Sequence, residues 1–358
     1  MFDAAMSKGG VELRPLSAGQ LFDRAIRLYR QHFLTFIGII AIAQIPVTAA
    51  TILLSVLAPA PEIPDATADI LGNSMFVGFL RMSQAAGTSS TFGSLVVGIL
   101  GWALSLVGAA ALTSAAINAY FGSPVGILDA FRGLKGIWVS LLGAVFLAGL
   151  AGGLLGLWTF IPLVGWFTGP GLLLFYVLVV IPFITPVVVV ERRKASEGLP
   201  RALELAQRRF WWFIGFMLLL GLFSQVIVTG PALLLGGVVS AMTGEGLSPV
   251  VSAIVFQTIS LLLSMLYLPI QLTCVLLIYL DVRARSEGLD LALQAAVNVD
   301  DPDMMQNQLA IVAEAPGPDI GLFPRRSDLS QYFLFTLAIY GLYMAVIVVS
   351  IFIGILVS

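Results

Sequence analysis

Seven long stretches of this sequence contain no Asp, Glu, Lys or Arg, and they limit the fold more than any other feature. They cover residues 33–57, 92–115, 137–160, 171–190, 211–235, 250–280 and 332–357. The hydrocarbon core of a bilayer is about 30 Å thick, and a helix of about 20 apolar residues crosses it. One charged side chain at the centre of such a helix costs roughly 2.5–3.5 kcal/mol. The pattern therefore predicts seven transmembrane helices.

The composition excludes a water-soluble globule. Hydrophobic residues make up 59% of the chain and charged residues only 11%, whereas an ordinary soluble domain has about 25% charged residues. The single cysteine, Cys274, rules out an intramolecular disulfide and argues against a thiolate metal site.

The basic residues predict the orientation of the helices. Of the 18 Lys and Arg residues, all but Arg81 fall in the N-terminal segment or in alternate loops between the apolar runs. By the positive-inside rule, these segments lie in the cytoplasm. We therefore expect a cytoplasmic N-terminus and, with seven spans, an extracytoplasmic C-terminus.

The chain contains an internal repeat. Residues 24–38 (RAIRLYRQHFLTFIG) align without a gap on residues 201–215 (RALELAQRRFWWFIG), and residues 196–206 align on residues 286–296. A weaker match places the loop after the second apolar run in the same register. The repeat predicts three units, each an amphipathic interfacial helix followed by two transmembrane helices, with a fourth amphipathic helix closing the series. Small residues allow close helix contact, and the repeat matches three glycines, Gly38, Gly143 and Gly215.

The first unit begins with a clear signal for an amphipathic helix. Ser17 and Gln20 have the spacing of a capping box, which starts a helix by satisfying its first free amide groups. The helical period then places on one face Leu21, Phe22, Ala25, Ile26, Leu28 and Tyr29. The opposite face carries Asp23, Arg24, Arg27 and Arg30. Such a helix is expected to lie in the membrane interface.

The repeat divides the chain into three parts. We predict a six-span membrane domain over residues 11–296, a cytoplasmic linker over residues 297–330 and the seventh transmembrane helix within residues 331–358. The linker is acidic and rich in Asp, Pro and Gln, a composition that favours a solvated segment. Residues 58–90 form the substantial extracytoplasmic segment, in which MFVGFLRM has the pattern of a short interfacial helix.

Three segments of the chain, taken together, have the pattern of a bacterial membrane domain. They are residues 13–33 (LRPLSAGQLFDRAIRLYRQHF), 186–212 (PVVVVERRKASEGLPRALELAQRRFWW) and 279–293 (YLDVRARSEGLDLAL). The pattern resembles the membrane domain that is fused to some glycerophosphoryl diester phosphodiesterases and that also occurs alone. This resemblance covers roughly residues 11–296 and implies a six-span core in the bacterial inner membrane with no established chemistry of its own. The catalytic barrel of those enzymes has no counterpart here, and the linker and seventh span depart from the family pattern.

The residues that could carry chemistry favour a structural role. His32 is the only histidine, so a histidine metal cluster or catalytic set would lack its partners. The glycines of residues 149–156 lie in an apolar run without a following Lys-Ser or Lys-Thr, which predicts helix packing instead of phosphate binding. We therefore predict no enzyme activity, no catalytic or metal-binding residue and no cofactor.

The cytoplasmic basic residues have two interpretations. They are either the charge bias that sets topology or ligands for anionic lipid headgroups at the cytoplasmic face. The second hypothesis assigns headgroup binding to Arg24, Arg27, Arg30, Arg132, Lys135, Arg192, Arg193, Arg201, Arg208 and Arg209.

The sequence favours a non-enzymatic integral membrane protein. It would organise membrane lipid or act as an accessory, scaffolding or assembly subunit of a membrane complex. Its expected partners are membrane lipids and, through the seventh helix, other membrane subunits, and nothing indicates nucleic acid. The alternative is a carrier or flippase for a lipid or other amphiphile, because proline-broken helices and internal repeats occur in transporters. The lack of ionisable residues in the spans removes the usual means of proton coupling.

Overall fold

The computed structural model describes residues 17–57, 92–242, 249–295, 304–316 and 329–357, and all regular secondary structure in these ranges is helical. The helices are α1 (Ala18–Gln31), α2 (Phe33–Leu57), α3 (Phe92–Tyr120), α4 (Ile127–Arg132), α5 (Trp138–Trp158), α6 (Val164–Phe175), α7 (Ile181–Val190), α8 (Ala195–Gln207), α9 (Phe210–Ser224), α10 (Gly230–Met242), α11 (Pro249–Glu287), α12 (Leu289–Ala295), α13 (Met304–Ala313) and α14 (Leu329–Val357). The predicted extracytoplasmic segment 58–90 lies outside the described residues.

Six helical segments are long and apolar enough to cross a membrane. They are Phe33–Leu54, Val96–Tyr120, Trp138–Trp158, Val164–Val190, Phe210–Leu235 and Ile254–Glu287. They correspond to the first six predicted spans, and the run predicted as the seventh span forms α14. The prediction of an all-helical bundle with several helices of membrane-spanning length is confirmed for the described residues.

The fourth and fifth of these segments each contain a π-helical turn shortly before a proline. The turn Tyr176–Val180 joins α6 to α7 and ends two residues before Pro182. The turn Gln225–Thr229 joins α9 to α10 and ends two residues before Pro231. Proline lacks the amide that would continue the helical hydrogen-bond pattern, and a π turn takes up the interruption without ending the helix. The fourth apolar run is therefore a continuous helix with a local widening before Pro182.

Helix α11 lies at the centre of the described bundle. It packs against α2, α3 and α7. Residues 274–280 of α11 are almost completely buried. A helix that is apolar on all sides is typical of such a central position.

Helix α1 begins as the sequence predicts. The Ser17 hydroxyl accepts a hydrogen bond from the Gln20 amide, and the Gln20 side chain accepts one from the Ser17 amide, so the capping box is confirmed. The predicted inner face is confirmed for its buried members Leu21, Ala25, Leu28 and Tyr29. Ile26, which was expected on the same face, is 41% exposed.

The short and amphipathic helices meet at one end of the bundle, which we call the basic end. Helix α1 packs on α11, α4 on α2 and α3, and α8 on α5 and α7. Two of the repeat glycines lie at these contacts. A Cβ atom on Gly38 would come within 2.6 Å of Ile127 in α4, and one on Gly143 within 2.9 Å of Ala195 in α8. Gly215, the third matched glycine, has open space around it among the described residues.

Helix α14 is attached to the rest of the chain along α6. The Gly171 amide donates a hydrogen bond of 2.9 Å to the Thr336 hydroxyl, and the Tyr340 hydroxyl donates one of 2.8 Å to the Trp166 carbonyl. The Tyr332 ring packs against Phe175 at 5.6 Å between ring centroids. The first half of α14 is therefore part of the described bundle.

Replacing Gly171 with leucine is expected to push α14 away from α6. A Cβ atom there would collide with the Tyr332 carbonyl and would lie 2.6 Å from the Thr336 hydroxyl, and overpacking of this kind costs about 1–3 kcal/mol. We expect a lower unfolding temperature in detergent. A thiol-reactive fluorophore can measure it, because Cys274 is the single cysteine and is fully buried.

The matched control is leucine at Gly149, another helical glycine, which has no neighbour within 4 Å of a Cβ among the described residues. An unfolding temperature that is equal for the two variants would contradict the close approach of α14 to Gly171.

Candidate functional site

The most unusual feature of the basic end is a largely buried group of charged side chains and one tyrosine, which we call the ionic cluster. It joins the end of α7, helix α8 and the last turns of α11. Its members are Glu191, Arg193, Glu197, Arg201, Glu204, Arg208, Tyr279, Arg283 and Glu287.

Glu191 lies at the centre of the ionic cluster. It follows the last residue of α7 and is 8% exposed. Its carboxylate accepts hydrogen bonds from Arg193 Nε at 2.6 Å, from the Tyr279 hydroxyl at 2.8 Å and from Arg201 Nε at 3.3 Å. A buried carboxylate needs such donors because it has lost its water. Glu191 therefore ties three separate parts of the chain together.

Arg201 is the most deeply buried cation in the described part of the chain, with no exposed side-chain surface. Its guanidinium contacts Glu191, Glu204 and Glu287. Burial alone would lower the pKa of Arg201, but these three carboxylates outweigh the loss of water and raise its pKa above the ordinary value. The side chain therefore stays charged and holds α8 onto the ends of α7 and α11.

Two arginines of the ionic cluster also bind the end of α13. Arg283 donates hydrogen bonds to the carbonyls of Val312 and Glu314, the latter at 2.7 Å. Arg193 donates to the carbonyls of Ala315, at 2.9 Å, and of Pro316. The last carbonyls of a helix have no partner within the helix, and a positive side chain at this end is favourable. The ionic cluster therefore acts as the C-terminal cap of α13.

The position of α13 differs from the expectation for its part of the sequence. We predicted a solvated linker over residues 297–330, but residues 304–316 of it are described as a packed helix with a short extension. Val312 is fully buried and Gln308 is 2% exposed. The physical reason is the apolar run LAIVA near the end of this helix, together with the two arginines that satisfy its last carbonyls.

A smaller charged group lies beside the ionic cluster. Asp281 is 3% exposed and pairs with Arg285 at 2.9 Å and with Arg209 at 3.5 Å. The Arg209 guanidinium also lies over the Trp212 ring, 4.6 Å from its centroid. These contacts fix the start of α9 against α11.

The structure separates the ten predicted headgroup residues into two sets. The exposed side chains are Arg27, Arg30, Arg132, Lys135, Arg192 and Arg208. The more enclosed ones are Arg24, which donates a hydrogen bond of 2.7 Å to the Tyr120 hydroxyl, and Arg193, Arg201 and Arg209. Protein carboxylates already hold Arg193 and Arg201, and this pairing competes with headgroup binding. For all ten residues the headgroup hypothesis stays a prediction.

Glu191, Tyr279, Arg283 and Glu287 were not predicted from the sequence. One signal was available for two of them. The match of residues 196–206 on 286–296 extends three residues further back, to RKASEGL on RARSEGL, and aligns Arg193 on Arg283. In both copies this arginine pairs with the glutamate four residues later, at 3.3 Å in the first and 2.9 Å in the second.

Comparison with known proteins leaves this geometry as the basis for assigning a function. No family model, no curated protein and no solved structure matches the chain. The resemblance to the phosphodiesterase-associated membrane domain therefore stays a prediction from the three sequence segments.

Proposed function

We propose that this chain is a non-enzymatic integral membrane protein of the bacterial inner membrane that organises lipid or serves as an accessory, scaffolding or assembly subunit of a membrane complex. The observation that carries the proposal is the ionic cluster. It joins α7, α8, α11 and α13 into one rigid surface at the basic end, and it uses its charged groups to hold the chain's own backbone. A surface of this kind suits a protein that presents binding faces to others.

The orientation and the three repeated units belong to this proposal. The described basic residues lie at the basic end, which the positive-inside rule would place in the cytoplasm. Arg24 and its repeat counterpart Arg201 both contact the end of the second span of their own unit, at Tyr120 and Glu287. The contacts of Gly38 and Gly143 with the next interfacial helix also support a common architecture.

Helix α14 is the proposed contact for other membrane subunits. One side of it is fixed to α6 by the contacts of Gly171 and Trp166. The other side exposes apolar side chains, which include Leu334 at 53%, Leu337 at 42% and Val348 at 61%. Because its inner side is already attached, α14 can bind a partner without leaving the bundle.

Gentle detergent extraction followed by mass determination tests the accessory-subunit proposal. We expect an assembly that contains partner chains, and we expect it to weaken when Leu334, Leu337 and Val348 are changed to alanine. The matched control changes three exposed apolar residues of α5, Phe146, Leu150 and Leu154, to alanine. A protein that is strictly monomeric and free of partners would contradict the accessory-subunit proposal.

One observation favours the alternative, a carrier or flippase for an amphiphile. The π-helical turns Tyr176–Val180 and Gln225–Thr229 interrupt two neighbouring membrane-length segments, and such turns are frequent at functional sites. A scrambling assay with purified protein in vesicles separates the two functions. Transbilayer movement of a labelled lipid above the protein-free rate would favour the carrier.

A further inference from the structure

A cavity of about 310 Å³ opens at the basic end between α3, α4, the end of α7 and α13. Its apolar lining residues include Ile117, Val190 and Leu309, and its polar lining residues are Ser114, Asn118, Asp129 and Arg192. Small-molecule sites in proteins span about 300–1,000 Å³, so this cavity matches a lipid headgroup better than a whole lipid. We propose that it binds the headgroup of a membrane lipid that carries both a phosphate and an amine.

Arg192 is the proposed phosphate ligand. Its neighbours Glu191 and Arg193 both belong to the ionic cluster, whereas Arg192 is exposed and lines the cavity. Within the described ranges, no residue forms a hydrogen bond or ion pair with its guanidinium. Its backbone has a φ of 51°, a left-handed conformation that costs a non-glycine residue roughly 1–2 kcal/mol. Backbone strain of this kind concentrates at ligand-binding positions.

Other polar groups of the cavity could complete a phosphate site. Neither the Ser114 hydroxyl nor the Asn118 side-chain amide has a hydrogen-bond partner among the residues that the structure describes.

The charges of the cavity favour a zwitterionic headgroup over a purely anionic one. Asp129 contributes a carboxylate whose ion pair with Arg132 is exposed, with the two side chains 72% and 76% accessible. An exposed pair of this kind is weak, so a lipid amine can compete for Asp129 while the phosphate contacts Arg192. The inference rests on the proposed function, because a lipid headgroup reaches this cavity only if the basic end lies at a membrane surface.

The experiment uses the delipidated full-length protein in detergent and measures retained lipid by native mass spectrometry. Binding of phosphatidylethanolamine is expected to saturate at one molecule per chain. Phosphatidylglycerol, which has the phosphate without the amine, should bind more weakly. In Asp129→Asn this preference should disappear. Inorganic phosphate serves as the third probe. If it displaces the lipid at a comparable concentration, the proposal that the cavity binds a lipid headgroup is overturned.

Arg192→Gly is the decisive variant because glycine adopts a positive φ without strain. We expect a fold that is at least as stable, measured by Cys274 labelling, with binding weakened about tenfold or more through loss of the charged contact. Lys194→Gln removes an exposed charge that does not line the cavity, and this variant should bind lipid as the unchanged protein does. Lipid retention that is non-saturable, or equal in all variants, would overturn the inference.

The same variant separates this inference from the proposed function. Arg192→Gly leaves α14 intact, so extraction of this variant should still yield the assembly with partner chains. Lost lipid retention with an intact assembly supports the cavity. If the unchanged protein retains lipid normally but forms no assembly with partner chains, the subunit proposal is overturned and the proposed lipid site in the cavity stays supported.

Discussion

Replacing Arg201 with methionine is expected to lower the free energy of unfolding by about 3–5 kcal/mol, because removing one partner of a buried ion pair leaves one negative charge of the ionic cluster without compensation. Glu191, Glu204 and Glu287 would then face one another in a site from which water is excluded. The measurement is denaturant or thermal unfolding in detergent, followed by labelling of Cys274.

Arg27→Met is the control for this experiment. Arg27 lies on α1 at the same end of the bundle and is exposed, so we expect a change within about 0.5 kcal/mol. Adding Glu191→Gln to Arg201→Met should restore part of the lost stability, since contacting residues are energetically coupled. Arg201→Met with the same stability as the control would mean that the ionic cluster does not hold the basic end together.

The second large effect is expected from Arg283→Met, which removes two of the hydrogen bonds that hold the end of α13. Hydrogen bonds to charged groups contribute about 1.5–3 kcal/mol each. We therefore expect backbone amides of residues 304–316 to exchange with solvent about a hundredfold faster or more. Hydrogen exchange read out by mass spectrometry measures this directly.

Arg285→Met is the matched control for the release of α13. Arg285 lies two residues further along α11, pairs with Asp281 and contacts solvent through about a third of its side chain. Its removal should leave exchange in residues 304–316 unchanged. If Arg283→Met also left this exchange unchanged, α13 would be held by its apolar residues alone and the capping role of Arg283 would be wrong.

The membrane-length helices were predictable because a bilayer imposes a simple length rule on an uncharged run. Helix α2 begins and ends at the predicted residues, Phe33 and Leu57. The fourth segment begins at Val164, seven residues before the predicted start at Gly171. The run IPLVGWFTGPG is rich in helix-breaking residues, and the packing of α14 against α6 compensates for their poor helix propensity. Tertiary contacts of this kind are absent from a local pattern.

The candidate site was less predictable than the helices, as Arg24 and Arg201 illustrate. They occupy the same position in the repeat, yet Arg24 contacts one tyrosine and Arg201 contacts three carboxylates. The difference comes from Glu191, which follows the last residue of α7, and from Glu287, which ends α11. Both carboxylates lie outside α8, the helix that carries Arg201. The amphipathic pattern shows which residues are basic, but their partners depend on how the ends of the helices meet.

The most direct test of the account is the side of the membrane on which the basic end lies. A membrane-impermeant maleimide is applied to intact cells that carry either Ser196→Cys, an exposed position in α8 at the basic end, or Phe160→Cys, which is 79% exposed between α5 and α6. We predict labelling of Phe160→Cys in intact cells and of Ser196→Cys only after the membrane is opened, while the buried Cys274 stays unlabelled. Labelling of both positions from the same side would contradict helices that cross the bilayer in pairs.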